Sequence, residues 1–102
     1  MVIRHLGKIT RKLKTIYNYS ESKEIKNMIL ESNKIIKNGI GFKINSKHNH
    51  YFEIIESELV REKCNEIIEL VHQTERSVIF DSKTEKYINE IIKYLEYIII
   101  EC

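Results

Sequence analysis

The stretch Thr15–Ile36, TIYNYSESKEIKNMILESNKII, decides how the fold is read. It opens as a β-branched and aromatic run, breaks at the polar Asn18–Ser20, and continues as an amphipathic segment. Leu13, Thr15, Tyr17 and Tyr19 alternate with more polar neighbours, as the side chains of a half-buried strand do. Past the break, Asn18 and Glu21 have the spacing of a capping box, in which each side chain satisfies an orphan N–H of a starting helix. Ile25, Met28, Ile29, Ser32, Ile35 and Ile36 then recur at helical spacing, and Asn38–Gly39 supplies a stop of the left-handed kind.

Upstream, Val2, Leu6, Ile9, Leu13 and Ile16 are spaced four, three, four and three apart, which places them on one helical stripe. Gly7 weakens that helix by about 1 kcal/mol relative to Ala. Residues 2–12 are expected as a basic amphipathic helix that runs into a strand at 13–18. Downstream, Ile40, Phe42 and Ile44 alternate with Gly41 and Lys43, Ser46–Asn49 is a polar turn, and Tyr51–Ile55 returns as the second strand of a hairpin. From Ser57 to about Gln73, a helix places Val60, Cys64, Ile67, Ile68 and Val71 on one face. Ser77–Asp81 reads as a short strand, and Ser82 with Glu85 reads as the capping box of a last helix over 82–101. The apolar stripe of that helix is wide, with Ile88, Ile91, Ile92, Leu95, Ile98 and Ile99 flanked by Tyr87, Tyr94 and Tyr97. Such a helix is buried on more than one side or touches something outside the chain.

Two shifts of the chain against itself suggest repetition. Moving it by 38 residues matches Ile16 with Ile54, Glu24 with Glu62, Asn27 with Asn65, Ile29 with Ile67, Glu31 with Glu69 and Phe42 with Phe80. Moving it by 63 matches Ile16 with Ile79, Ile25 with Ile88, Ile29 with Ile92, Ile35 with Ile98 and Ile36 with Ile99. The expected architecture is therefore α+β: two similar strand–helix–strand motifs, at 13–45 and 50–81, forming a small, mostly antiparallel ferredoxin-like sheet. Its helices lie on one face, and the 82–101 helix is an addition. The 102 residues, without proline or a low-complexity linker, fit one domain.

The net charge of +2 hides an asymmetry. Residues 1–20 hold five basic side chains (Arg4, Lys8, Arg11, Lys12 and Lys14) and no acid, whereas 57–102 hold six basic and ten acidic ones. Either the two ends attract one another within the fold or in a dimer, or the basic end meets an anionic partner. No run approaches the roughly 20 apolar residues of a membrane span, and no signal-peptide pattern opens the chain. No membrane partner is expected, and the location expected is intracellular, the host cytoplasm for a viral protein. Two cysteines, Cys64 and Cys102, are too few for a disulfide framework or a thiolate zinc site.

Residues suited to chemistry do not converge. His48 and His50 share a side of a strand, but no third ligand stands at ligand spacing. Cys64 and His72 lie about 12 Å apart along a helix axis, too far for a thiolate–imidazole pair. The three glycines, Gly7, Gly39 and Gly41, form no phosphate loop. No catalytic residue, metal or cofactor is expected.

Glu90–Cys102, EIIKYLEYIIIEC, together with the length and style of the whole chain, resembles the small proteins of filamentous viruses of hyperthermophilic archaea, those of Acidianus filamentous virus in particular. That resemblance implies two similar motifs and a protein–protein role, with no catalytic residues to carry over. The expected function is a noncatalytic protein-interaction module that holds a peptide or strand of a partner, possibly a second copy, in the seam between the motifs. Ile40, Phe42, Val78, Phe80, Tyr87 and Tyr94 are the expected contacts. The alternative is nucleic-acid binding, with Arg4, Lys8, Arg11, Lys12 and Lys14 neutralising phosphates.

Overall fold

The computed structural model describes residues 2–45, 50–54 and 57–101, with backbone alone over 2–3, 41–45, 50–54 and 57–58. Among the described residues four helices follow one another: α1 (Val2–Tyr19), α2 (Lys23–Gly39), α3 (Ser57–Ser77) and α4 (Ser82–Glu101). A hairpin of β1 (Gly41–Asn45) and β2 (His50–Ile54) separates α2 from α3. Its strands pair antiparallel in the register Gly41 to Ile54, Lys43 to Phe52 and Asn45 to His50.

Each helix buries a stripe whose members alternate three and four residues apart. In α1 these are Leu6, Ile9, Leu13 and Ile16; in α3, Val60, Cys64, Ile67 and Val71; in α4, Thr84, Ile88, Ile91, Leu95 and Ile98. Helix α2 buries Ile25, Ile29, Ser32, Ile36 and Gly39, with Met28 beside them. A repeat averaging 3.5 residues keeps such a stripe facing a nearly aligned neighbour along its whole length, which is the packing of helical bundles. The pairing is a closed ring: α1 packs on α4 and α2, and α3 packs on α2 and α4. Short connections at 20–22 and 78–81 reverse the chain between neighbours, so the helices run up and down in turn.

The expected ferredoxin-like α+β sheet does not form, and the molecule is a small helical bundle with one hairpin. The hairpin is where alternation at 40–55 places it. The strand expected at 13–18 is the last part of α1, because Leu13 and Ile16 continue the stripe begun by Leu6 and Ile9. Its threonine follows the helix as well, with Thr15 Oγ1 donating to the Arg11 carbonyl at 3.0 Å. The strand expected at 77–81 is the α3–α4 connection. Val78 and Phe80 turn toward the core and Ile79 is 95% exposed, so the alternation is real. No strand lies beside it among the described residues, and the Val78 N–H donates back to the Thr74 carbonyl of α3 at 3.0 Å.

The strand–helix–strand form of the internal repeat goes with the sheet. Within the 63-residue shift Ile16, fully buried, falls on Ile79, almost fully exposed, whereas Ile25 and Ile88 are both buried, as are Ile29 and Ile67 of the 38-residue shift. Helix α4 spans 82–101 as expected, but the capping residues of α2 and α4 differ from the expected ones. Ser22, rather than Asn18, caps α2, its Oγ accepting the Ile25 N–H at 3.2 Å. Asp81, rather than Ser82, caps α4, its carboxylate accepting the Thr84 N–H at 2.8 Å.

Gly39 ends α2, but not by a left-handed turn, since no glycine among the described residues has a positive φ. It is needed for space: a Cβ there would run into the Cγ and Cδ methylenes of Lys63 on α3. Gly39→Ala is therefore expected to destabilise the fold by about 1–3 kcal/mol, the usual cost of overpacking. In a Lys63→Ala background the same substitution becomes neutral, or stabilising by up to about 1 kcal/mol from helix propensity. Chemical denaturation of the four proteins of that cycle measures the coupling. Equal losses in both backgrounds would show that close approach of α2 and α3 is not the reason for the glycine.

Candidate functional site

Two surfaces on α1 are built from the stripes that flank its core stripe. On the α4 side, basic residues of α1 meet tyrosines and acids. Lys8 Nζ lies 5.2 Å from the centroid of the Tyr94 ring and Lys12 Nζ 5.5 Å from that of Tyr87. Lys12 also pairs with Glu90 at 2.7 Å. Toward the start of α1, the His5 ring stacks on Tyr94 at 5.6 Å and meets Tyr97 at 5.4 Å, with Nε2 3.4 Å from Glu101. At the other end the Tyr19 hydroxyl and the Thr84 hydroxyl share a hydrogen bond of 2.8 Å. Burial raises the pKa of the Tyr19 phenol above its ordinary value, and the Thr84 hydrogen bond partly offsets that rise. The seam is thus a run of cation–π, aromatic and ionic contacts in which the basic end and the acidic end of the chain meet.

On the α2 side lies a groove of about 300 Å³ lined by Thr10, Lys14 and Tyr17 of α1 and Leu30 and Asn33 of α2. Positions 10, 14 and 17 sit one residue beyond the core positions 9, 13 and 16, and 30 and 33 one beyond 29 and 32. Leu30 is 53% exposed, a large apolar side chain left on the surface. Lys26 Nζ lies 5.0 Å from the centroid of the ring of Tyr17, which lines the groove. The exposed Arg11, Lys14, Lys34 and Lys37 stand on the same two helices.

Charge follows the topology. Residues 1–40 carry nine Lys and Arg against three Glu, and 57–102 carry six against ten acids. Because α1 abuts α2 and α3 abuts α4, the bundle has one basic and one acidic side. A second pocket, of about 320 Å³, lies at the end where α2 and α4 begin, among Tyr19, Ser20, Ser22, Ile79 and Thr84. The side chains of Ser22 and Asp81 already occupy the two helix starts there, and Glu21 and Asp81 line it, so it is poorly suited to an anion.

The described residues expected as partner contacts are spread over three places in the bundle. Ile40 is fully buried at the end of α2, Val78 and Phe80 are half-buried in the α3–α4 connection, and Tyr87 and Tyr94 lie in the α1–α4 seam. The Phe42 side chain lies outside the described residues. Of the basic residues, Arg4, Arg11 and Lys14 are exposed, while Lys8 and Lys12 are half-buried over tyrosine rings. Thr10, Tyr17, Leu30 and Asn33 are not grouped by any motif in the sequence; the signal for them is Leu30, an apolar residue off the core stripe of its helix. Cys64 is buried on the core side of α3, and Cys102 and His48 lie outside the described residues. Among the described residues no three His, Cys, Asp or Glu side chains gather as metal ligands would, and no helix is long and apolar enough to cross a membrane. No protein-family model, curated protein or solved structure matches the chain.

The hydrogen bond from Lys12 holds the Glu90 carboxyl below its ordinary pKa. A depressed folded-state pKa adds stability above the unfolded value, near pH 4, and that stability is lost as pH falls through the folded value. Lys12→Met should move the Glu90 titration, followed by carboxyl-carbon NMR, up toward the ordinary range, with Lys86 and Lys93 still lowering it slightly. An unmoved Glu90 midpoint would mean that the α1–α4 ion pair does not persist in solution.

Proposed function

We propose that this protein is a noncatalytic protein-interaction module that docks an acidic amphipathic helix of a partner in the α1–α2 groove. The observation that carries the reading is the groove itself, apolar at Tyr17 and Leu30 and rimmed by Lys14 on the basic side of the bundle. Two parallel ridges with a depression between them match a third helix, whose apolar residues at i, i+3 and i+4 fill the depression while its acids meet the lysines. This replaces the binding of a strand between two strand–helix–strand motifs, since neither those motifs nor their shared sheet is formed among the described residues.

The nucleic-acid alternative rests on fewer cations than the sequence implies. Lys8 and Lys12 are engaged with tyrosines and Glu90, which leaves Arg4, Arg11 and Lys14 as the exposed basic residues of α1. The two readings separate in one titration. A fluorescent helical peptide with Leu on one face and Glu on its flanks should bind, and Leu30→Asp should weaken it by at least about tenfold, equivalent to about 1.4 kcal/mol. Lys14→Glu should act in the same direction. Failure of the peptide to bind, with duplex DNA binding tightly and weakening as a steep power of salt concentration, would replace this reading with the alternative.

A further inference from the structure

Four large apolar side chains are markedly exposed among the described residues: Leu30, Ile79, Tyr97 and Ile100. Leu30 lines the α1–α2 groove. Tyr97 and Ile100 are three apart on α4, which puts them on one outward ridge, 39% and 79% exposed. The exposed Glu96 and Glu101 flank that ridge, Glu101 also facing His5 at 3.4 Å; Lys93 Nζ lies 5.8 Å from the centroid of the Tyr97 ring, and the last turn of α4 carries no basic residue. The molecule therefore carries an apolar depression with a cationic rim and an apolar ridge that ends between two carboxylates, with the Lys93 ammonium one turn before them.

Within one copy these two surfaces cannot mate. The Tyr97 ring is held against His5 on the α4 side of α1, whereas the groove lies on the α2 side of the same helix. We propose that the groove receives the Tyr97–Ile100 ridge of a second copy, so that the partner is this chain itself in a head-to-tail contact. The assignment rests on the groove being a docking surface for an acidic helix, as argued above, and names that helix as the end of α4. It follows from complementarity of charge and of apolar shape between two surfaces of one molecule. A contact between different patches is heterologous: each copy offers one groove and one ridge, so assembly continues into a ring or an open chain. A contact of one groove is small, and the association is accordingly weak and concentration-dependent.

Sedimentation velocity on the intact chain tests this with two variants whose altered side chains are exposed. The wild type should gain mass with rising concentration. Leu30→Asp, which spoils the groove, and Ile100→Asp, which spoils the ridge, should each stay at the monomer mass. An equimolar mixture of the two variants has one sound groove and one sound ridge, and should form a species of twice the monomer mass that grows no further. Self-association of Leu30→Asp alone would overturn the proposal in favour of ridge-to-ridge pairing. A wild type that stays monomeric while still binding the acidic helical peptide would overturn the self-partner and leave the docking groove standing. Circular dichroism of both variants confirms that loss of association is not loss of fold.

Discussion

The structure depends on one constraint: among the described residues four helices, each burying positions that alternate three and four residues apart, bury them chiefly against one another. The two-stranded hairpin is too small to cover four apolar stripes, and β1 and β2 touch α2 and α1 without taking the place of a helix. Removing one stripe residue from water is worth about 1.5–3 kcal/mol for Leu or Ile, and most of the buried set is Leu or Ile. The hydrogen bonds and ion pairs of the surface orient the helices; the stripes hold them.

Helix α1 shows how packing leads to function. Its core stripe faces the bundle axis, one flank is spent on α4 and the other forms a wall of the groove with α2. The α4 flank takes Lys8, Lys12 and His5 into contacts with Tyr94, Tyr87, Tyr97 and two carboxylates. The other flank keeps Thr10, Lys14 and Tyr17 facing outward beside Leu30. One helix thus ties the basic end of the chain to its acidic end and still presents a surface with an apolar lining and a positive rim. The buried Ser32 hydroxyl, without a hydrogen-bond partner among the described residues, marks a break in an otherwise apolar stripe of α2.

Much of the helical content is legible in the sequence, and the errors have a common cause. The stripe Leu6–Ile9–Leu13–Ile16 is present in the letters, and so is the strand-like alternation Leu13–Thr15–Tyr17–Tyr19; the two share Leu13. Periodicity alone does not choose between them, whereas tertiary burial does, because a strand at 13–18 would take Ile16 off the stripe that α4 and α2 cover. Val78–Ile79–Phe80 alternates in the same way, but alternation makes a strand only when another strand lies alongside. Asn18 and Ser82 have the capping spacing, yet the helix starts fall at Ser22 and Asp81, whose side-chain oxygens reach the backbone N–H groups. For the site, the charge asymmetry was readable and its geometry was not. The sequence cannot show that Lys8 and Lys12 are turned toward tyrosines while Lys14 faces solvent, because that depends on which helix packs on which flank.

The uninterrupted α1, clamped along α4 from end to end, is the claim on which the groove, the charge separation and the bundle all rest. Its most direct test is NMR on the intact chain, reading carbon chemical shifts over residues 13–18 and proton–proton contacts between aromatic rings. The structure requires helical shifts throughout that segment, with contacts from the Tyr19 ring to Tyr87, 6.4 Å away between centroids, and from the His5 ring to Tyr94. Extended shifts at 13–18, with cross-strand contacts in place of the Tyr19–Tyr87 and His5–Tyr94 pairs, would contradict the bundle.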